Sequence, residues 1–174
     1  MVLSRSAGRF AVAFLALGIV ARGWMRLITT EPEFSWSGAL DIVGAFVVFG
    51  VACGLVRGAR RSGRSRVWRL LAPLCLGIGV GAGALLVPGV ALTAWATSGR
   101  GPRWVRWLVP GILVAVAALG VAQDEGADLG RLAITVTGLW ALTLGLGLGA
   151  REFLMRWPGR AHGVSERALR VVVP

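Results

Sequence analysis

A chain of 174 residues that is 56% hydrophobic and holds 26 glycines, with a mean hydropathy of +0.73, is too apolar for an ordinary soluble domain, whose apolar share including glycine is about 45–50%. Its 19 basic residues are all arginine and stand against eight acids, for a net charge of +11. A soluble chain with that balance points to nucleic acid, but these arginines lie in short segments between apolar runs, where the positive-inside bias places them, so no nucleic-acid partner is expected. The lack of lysine excludes a Schiff-base site and a nucleotide-binding Walker lysine, and the all-arginine complement fits a GC-rich genome.

The first apolar run, Phe10 to Ile28, follows Arg5 and Arg9. Its uninterrupted part, "FAVAFLALGIVA", also fits the core of a secretory signal cleaved near Ala21. A retained helix is the expectation, because the apolar pattern resumes at Trp24, Met25, Leu27 and Ile28 after each of Arg22 and Arg26. The stretch that follows, "TTEPEFSWSG", leads into a second run, Ala39 to Val56, whose one charge is Asp41. With the N-terminus inside, Arg22, Arg26 and Asp41 fall at similar depth near the outer surface, under Glu31 and Glu33. Ionisable residues within spans usually mark a pathway or a site. These five residues are therefore the candidate outer charge cluster, suited to a lipid phosphate or to acid/base work, with Arg26 or Arg22 pairing with Asp41. The bland alternative is snorkelling arginines and an aspartate complementing the dipole of a helix start capped by Ser37.

Next comes "RGARRSGRSRVWR", residues 57–69, with six arginines and no acid, which the charge rule places in the cytoplasm. The third run, residues 70–97, carries Pro73, Gly77, Gly79, Gly81, Gly83 and Pro88-Gly89. As one helix it would put the arginines near residue 103 and those of the tail outside. Turning back near "VPG", as two half-helices or a re-entrant hairpin, it leaves sixteen arginines inside and one, Arg131, outside. A broken element of that kind must be packed centrally, and broken helices at the midplane are a common way to build transporter sites.

The last two runs, 105–122 and 132–150, flank the acidic turn "QDEGADLGR". The predicted fold is all-α, a polytopic helical membrane protein in a single domain over 1–174. It has four full transmembrane helices (10–28, 39–56, 105–122, 132–150) plus a broken central pair at 70–97, five to six segments in all. A basic cytoplasmic tail covers 151–174. Loose likeness between "GLVRGARR" and "GLGLGARE" hints at two similar hairpins.

Glycines four apart let helix backbones approach closely. Gly77, Gly79, Gly81 and Gly83, with Gly145, Gly147 and Gly149, are the candidate packing surfaces; because they also recur every second residue, both sides of those helices are thin. Of eight tryptophans, seven lie at helix ends, Trp157 among them, as an interfacial belt requires, and mid-span Trp140 is expected to be buried. Cys53 and Cys75 match no zinc or redox spacing, and one histidine, His162, cannot build a metal site. No catalytic residue, metal site or cofactor is predicted. The expected partners are membrane lipids and a protein partner or second copy (homo-oligomer), in a multi-pass protein of the cell membrane with both termini cytoplasmic. The leading role is an accessory subunit or scaffold. The alternatives are a lipid-binding protein or membrane enzyme using the outer cluster, and a small dimeric transporter built on the broken hairpin.

Overall fold

A computed structural model describes residues 2–28, 35–72, 75, 86–100, 104, 108, 111–112, 115 and 129–157. Among these the regular structure is helical, with no strand. The long helices are α1 (Val2–Ile28), α2 (Trp36–Arg61) and, after the nine-residue α3 (Val87–Trp95), α4 (Leu129–Leu154). The three long ones are apolar and long enough to cross a membrane: 26 residues rise roughly 39 Å at about 1.5 Å each, against a hydrocarbon core of about 30 Å.

Each long helix overruns the bounds expected from hydropathy, for a local reason. α1 starts at Val2 rather than Phe10 because Leu3, Ser6 and Ala7 rest on Gly54 and Gly58 of α2, and this packing keeps the chain wound past exposed Arg5 and Arg9. α2 is capped by Ser35 rather than Ser37: the Ser35 hydroxyl accepts from the Gly38 N–H at 3.3 Å. It continues to Arg61, where arginines in the last turn oppose the negative end of the helix dipole. α4 runs on through Arg151 and Glu152 to Leu154, residues expected to open the tail.

The pairing of α1 with α2 is antiparallel and close. A Cβ added to Gly50 would lie 2.6 Å from Phe14 Cβ, and one added to Gly54 would lie 2.6 Å from Ala7 Cα. Such approaches exclude any side chain. The Ser6 hydroxyl donates across the gap to the Gly54 carbonyl at 2.9 Å. α4 lies antiparallel to α1, with Trp24 against Gly138, Leu17 against Gly145 and Phe14 against Gly149; Trp24 Nε1 donates to the Ile134 carbonyl at 3.0 Å. α4 is therefore parallel to α2.

α3 begins at the "VPG" where a reversal was expected, with Pro88 in its first turn, a position that needs no N–H. Gly89 faces Thr143 and Thr93 faces Gly147, so α3 is parallel to α4. At roughly 13 Å long, it covers only the second half of α4. It ends in a π-type turn, Ala96–Arg100, closed by Gly99 at φ 85°, a conformation that favours glycine.

The tightest core lies where α1 starts and α2 and α4 finish, the arginine-rich end. Ala52, Cys53, Val56, Ala59, Cys75, Phe153 and Trp157 are buried there, and both thiols are free. Gly77, Gly79, Gly81 and Gly83, most of the 105–122 segment, and the tail beyond Trp157 lie outside the described residues.

Candidate functional site

The arginine-rich end also holds a buried carboxylate. Glu152 sits in the last turn of α4 with 1% of its surface exposed, a place where the negative end of the helix dipole disfavours an anion. Two cations offset that. Arg57 and Arg60 are three apart and so share one face of α2, and α2 runs parallel to α4. Arg57 Nη1 donates to Glu152 Oε1 at 2.9 Å and Arg60 Nη2 to Oε2 at 2.5 Å. Arg60 Nη1 also reaches the Glu152 backbone carbonyl at 3.4 Å, and the Arg57 guanidinium lies over the Phe10 ring, 5.6 Å from its centroid. One carboxylate thus joins all three long helices.

The loop after α2 closes over this clamp. Arg69 Nη2 donates to the Met155 carbonyl at 2.5 Å, and its guanidinium lies 5.6 Å from the Trp157 ring centroid. Trp157 Nε1 donates to the Arg64 carbonyl at 2.7 Å. Trp157, expected in the interfacial belt, is instead a buried wedge between the loop and the end of α4. Trp140 departs in the other direction: expected to be buried, it is exposed, because the α4 face it occupies is not one of those that meet α1, α2 or α3.

No protein-family model matches the chain, and no curated protein or solved structure does either.

The outer cluster is placed differently. Arg22 is half-buried, Arg26 and Asp41 are exposed, and Glu31 and Glu33 lie outside the described residues. Among the described residues the ion pairs are the two to Glu152, and none joins Asp41 to Arg22 or Arg26. Of the candidate packing glycines, Gly145 and Gly149 face α1 while Gly147 faces α3, where a Cβ would fall 2.5 Å from Thr93 Cβ.

Three features escaped sequence reasoning. Glu152 is the lone acid among the arginines that close the chain's last apolar run, and a carboxylate in a helix's last turn calls for a cation nearby. Gly50, Gly54 and Gly58 carry the same four-residue spacing as the glycines singled out later in the chain. Thr93 and Thr143, buried on the facing sides of α3 and α4, give no sequence signal beyond being polar residues in an apolar run. Among the described residues no group of three His, Cys, Asp or Glu side chains is placed to hold a metal ion.

Proposed function

We propose that this chain is a multi-pass integral membrane protein that acts through helix packing with protein or lipid partners, as an accessory subunit or scaffold. The observation that carries this reading is the use to which the buried charge is put. Both Glu152 oxygens are taken by arginines of another helix, so the group serves to fasten helices together. The faces turned away from these contacts are apolar: Val12, Leu15, Ile19 and Val20 on α1 are exposed, as a lipid- or partner-facing surface requires. On this reading the arginine-rich end is cytoplasmic, both termini are inside, and the membrane is a bacterial cell membrane. The reading also keeps four full spans plus a broken central hairpin. Support for the hairpin comes from α3, which runs parallel to α2: a chain leaving α2 at Arg61 must travel away from the arginine-rich end and come back before Ala96.

Purification in mild detergent, with mass spectrometry of what accompanies the chain and photo-crosslinking from Val12 and Ile19, tests the role. A stoichiometric protein or phospholipid held at that face is the expected result. A monomer with no retained partner and an activity of its own would end the accessory-subunit reading. A small dimeric transporter is the second reading, favoured by the half-length α3 starting opposite the middle of α4.

A further inference from the structure

We propose that the seam between α3 and α4 is a binding site for a small monovalent anion of the halide, nitrate or formate class. This goes beyond the accessory-subunit reading and does not depend on it.

Five threonines lie in the described helices and the turn after α3. Thr97, Thr135 and Thr137 turn their hydroxyls back to the carbonyl four residues earlier, at 2.6, 2.8 and 2.7 Å, the usual way a helical threonine in apolar surroundings is satisfied. Thr93 and Thr143 do not. Both are fully buried at 0% exposure, and neither Oγ1 has a hydrogen-bond partner. Nearly all buried polar atoms have one, and an exception calls for an explanation such as an ion or ligand.

The two exceptions lie along one helix–helix seam. Thr143 Oγ1 lies 3.6 Å from where a Cβ on Gly89 would sit, beside the first turn of α3. Thr93, one turn along α3, packs its Cβ and Cγ2 on Gly147, one turn along α4. A third buried polar atom without a hydrogen-bond partner, Arg151 Nε, continues the line, because residues 143, 147 and 151 are spaced four apart on one face of α4. Arg151 stands at the arginine-rich mouth of the seam, and Thr143 lies near the middle of α4, about 12 Å deeper by helical rise.

The chemistry of this line is one-sided. It offers two hydroxyl donors and the positive end of the α3 dipole, with the Arg151 guanidinium at the mouth; in the first turn Pro88 has no N–H and the Val90 N–H already donates to the Leu86 carbonyl at 2.8 Å. The one acid in the described parts of α3 and α4, Glu152, is committed to Arg57 and Arg60. A cation would be opposed by Arg151 and by the dipole. The seam is narrow, since a Cβ on Gly89 would lie 2.9 Å from Thr143 Cγ2 and one on Gly147 2.5 Å from Thr93 Cβ; an ion entering beside the hydroxyls must be compact, which excludes phosphate and sulfate.

The test uses the full chain in mild detergent, titrated with sodium chloride or sodium nitrate at constant ionic strength against sodium gluconate, with thermal unfolding and calorimetric binding as readouts. The expected result is a saturable rise in melting temperature with chloride or nitrate, absent with gluconate. Thr143→Val should weaken apparent affinity about tenfold or more, the range expected when a hydrogen bond to a charged group is lost, and Thr93→Val should act in the same direction. Thr143→Ser, which keeps the hydroxyl, should retain binding. Valine matches threonine in shape, so these variants keep the seam packed. If the hydroxyls are no more than misplaced packing groups, both valine variants will melt higher than the parent and chloride and gluconate curves will coincide. That result overturns the proposal, as does a chloride effect left unchanged in both valine variants.

Discussion

The two halves of α2 are built by different rules. Every buried residue of this helix lies between Gly50 and Ala59, where glycines meet the α1 backbone. In the other half a Cβ on Gly44 would meet nothing within 4 Å, and Trp36, Leu40, Asp41 and Val48 are exposed. One helix thus passes from a surface whose own glycines have no room for a carbon to one that meets α1 through Val43 and Phe46 against Gly18, with its own Gly44 open. The charges follow the same division: Glu152 is buried between half-buried arginines at the tight end, while Asp41 stands exposed at the loose one.

The sharpest way to break this comparison is a pair of matched substitutions. Gly54→Leu should give the largest loss in the molecule, a chain that no longer holds α1 against α2, because the obstacle is the Ala7 backbone and not a movable side-chain tip. Gly44→Leu should stay within about 0.5 kcal/mol of the parent. Equal unfolding midpoints for the two in mild detergent would show that the tight half is no tighter than the other.

Glu152→Ala comes next, at about 3–5 kcal/mol, since it leaves two arginines without their anion in a poorly hydrated place. Adding Arg57→Met and Arg60→Met, with leucine at 152, should restore much of that loss, because no orphaned charge remains. A Glu152→Ala protein that melts with the parent would mean the clamp is solvated and idle. Within the clamp, Arg60→Ala should cost more than Arg57→Ala. Arg60 makes two bonds to Glu152 and its side chain is 13% exposed, against one bond and 29% for Arg57; a bond to a charged group is worth about 1.5–3 kcal/mol. Reversal of that order in chemical unfolding would place the main anchor at the Phe10 side.

The smallest effect is expected at the loose end. Asp41→Ala should change stability by less than about 0.5 kcal/mol, as exposed charges usually do. A loss several times larger, measured in the same detergent, would reveal an organised site there. Asp41→Asn that keeps stability but abolishes an assayed function would do so too.

Much of the architecture was legible in hydropathy and charge. The three long helices stand where apolar runs stand, and α3 begins at Val87, beside the Pro88 that marked a break. Helix ends were not legible, because packing extends them past the apolar runs: Leu3 and Ser6 on α2 in one case, Glu152 beneath Arg57 and Arg60 in the other. The arginine-rich loop was read as a topology signal, and that reading hid its second use. Arginines abundant enough to orient a chain are also abundant enough to bury one acid, and only the position of Glu152 in a helix's last turn distinguishes that acid from the rest. The threonine seam was out of reach for a different reason: whether a hydroxyl finds the carbonyl of its own helix is decided by the rotamer and the neighbouring helix, which the order of residues does not reveal.

The clamp also has a consequence for how the protein is made. Arg57 and Arg60 precede Glu152 by 95 and 92 residues, so at synthesis rates of about 5–20 residues per second they leave the ribosome roughly 5–20 seconds before their partner. Through that interval the α1–α2 hairpin must stand on its glycine contacts alone, with both guanidinium groups held by water or lipid phosphate. Arrival of Glu152 then latches α4 to the first pair, making the ion pairs a late step of folding and not its starting point.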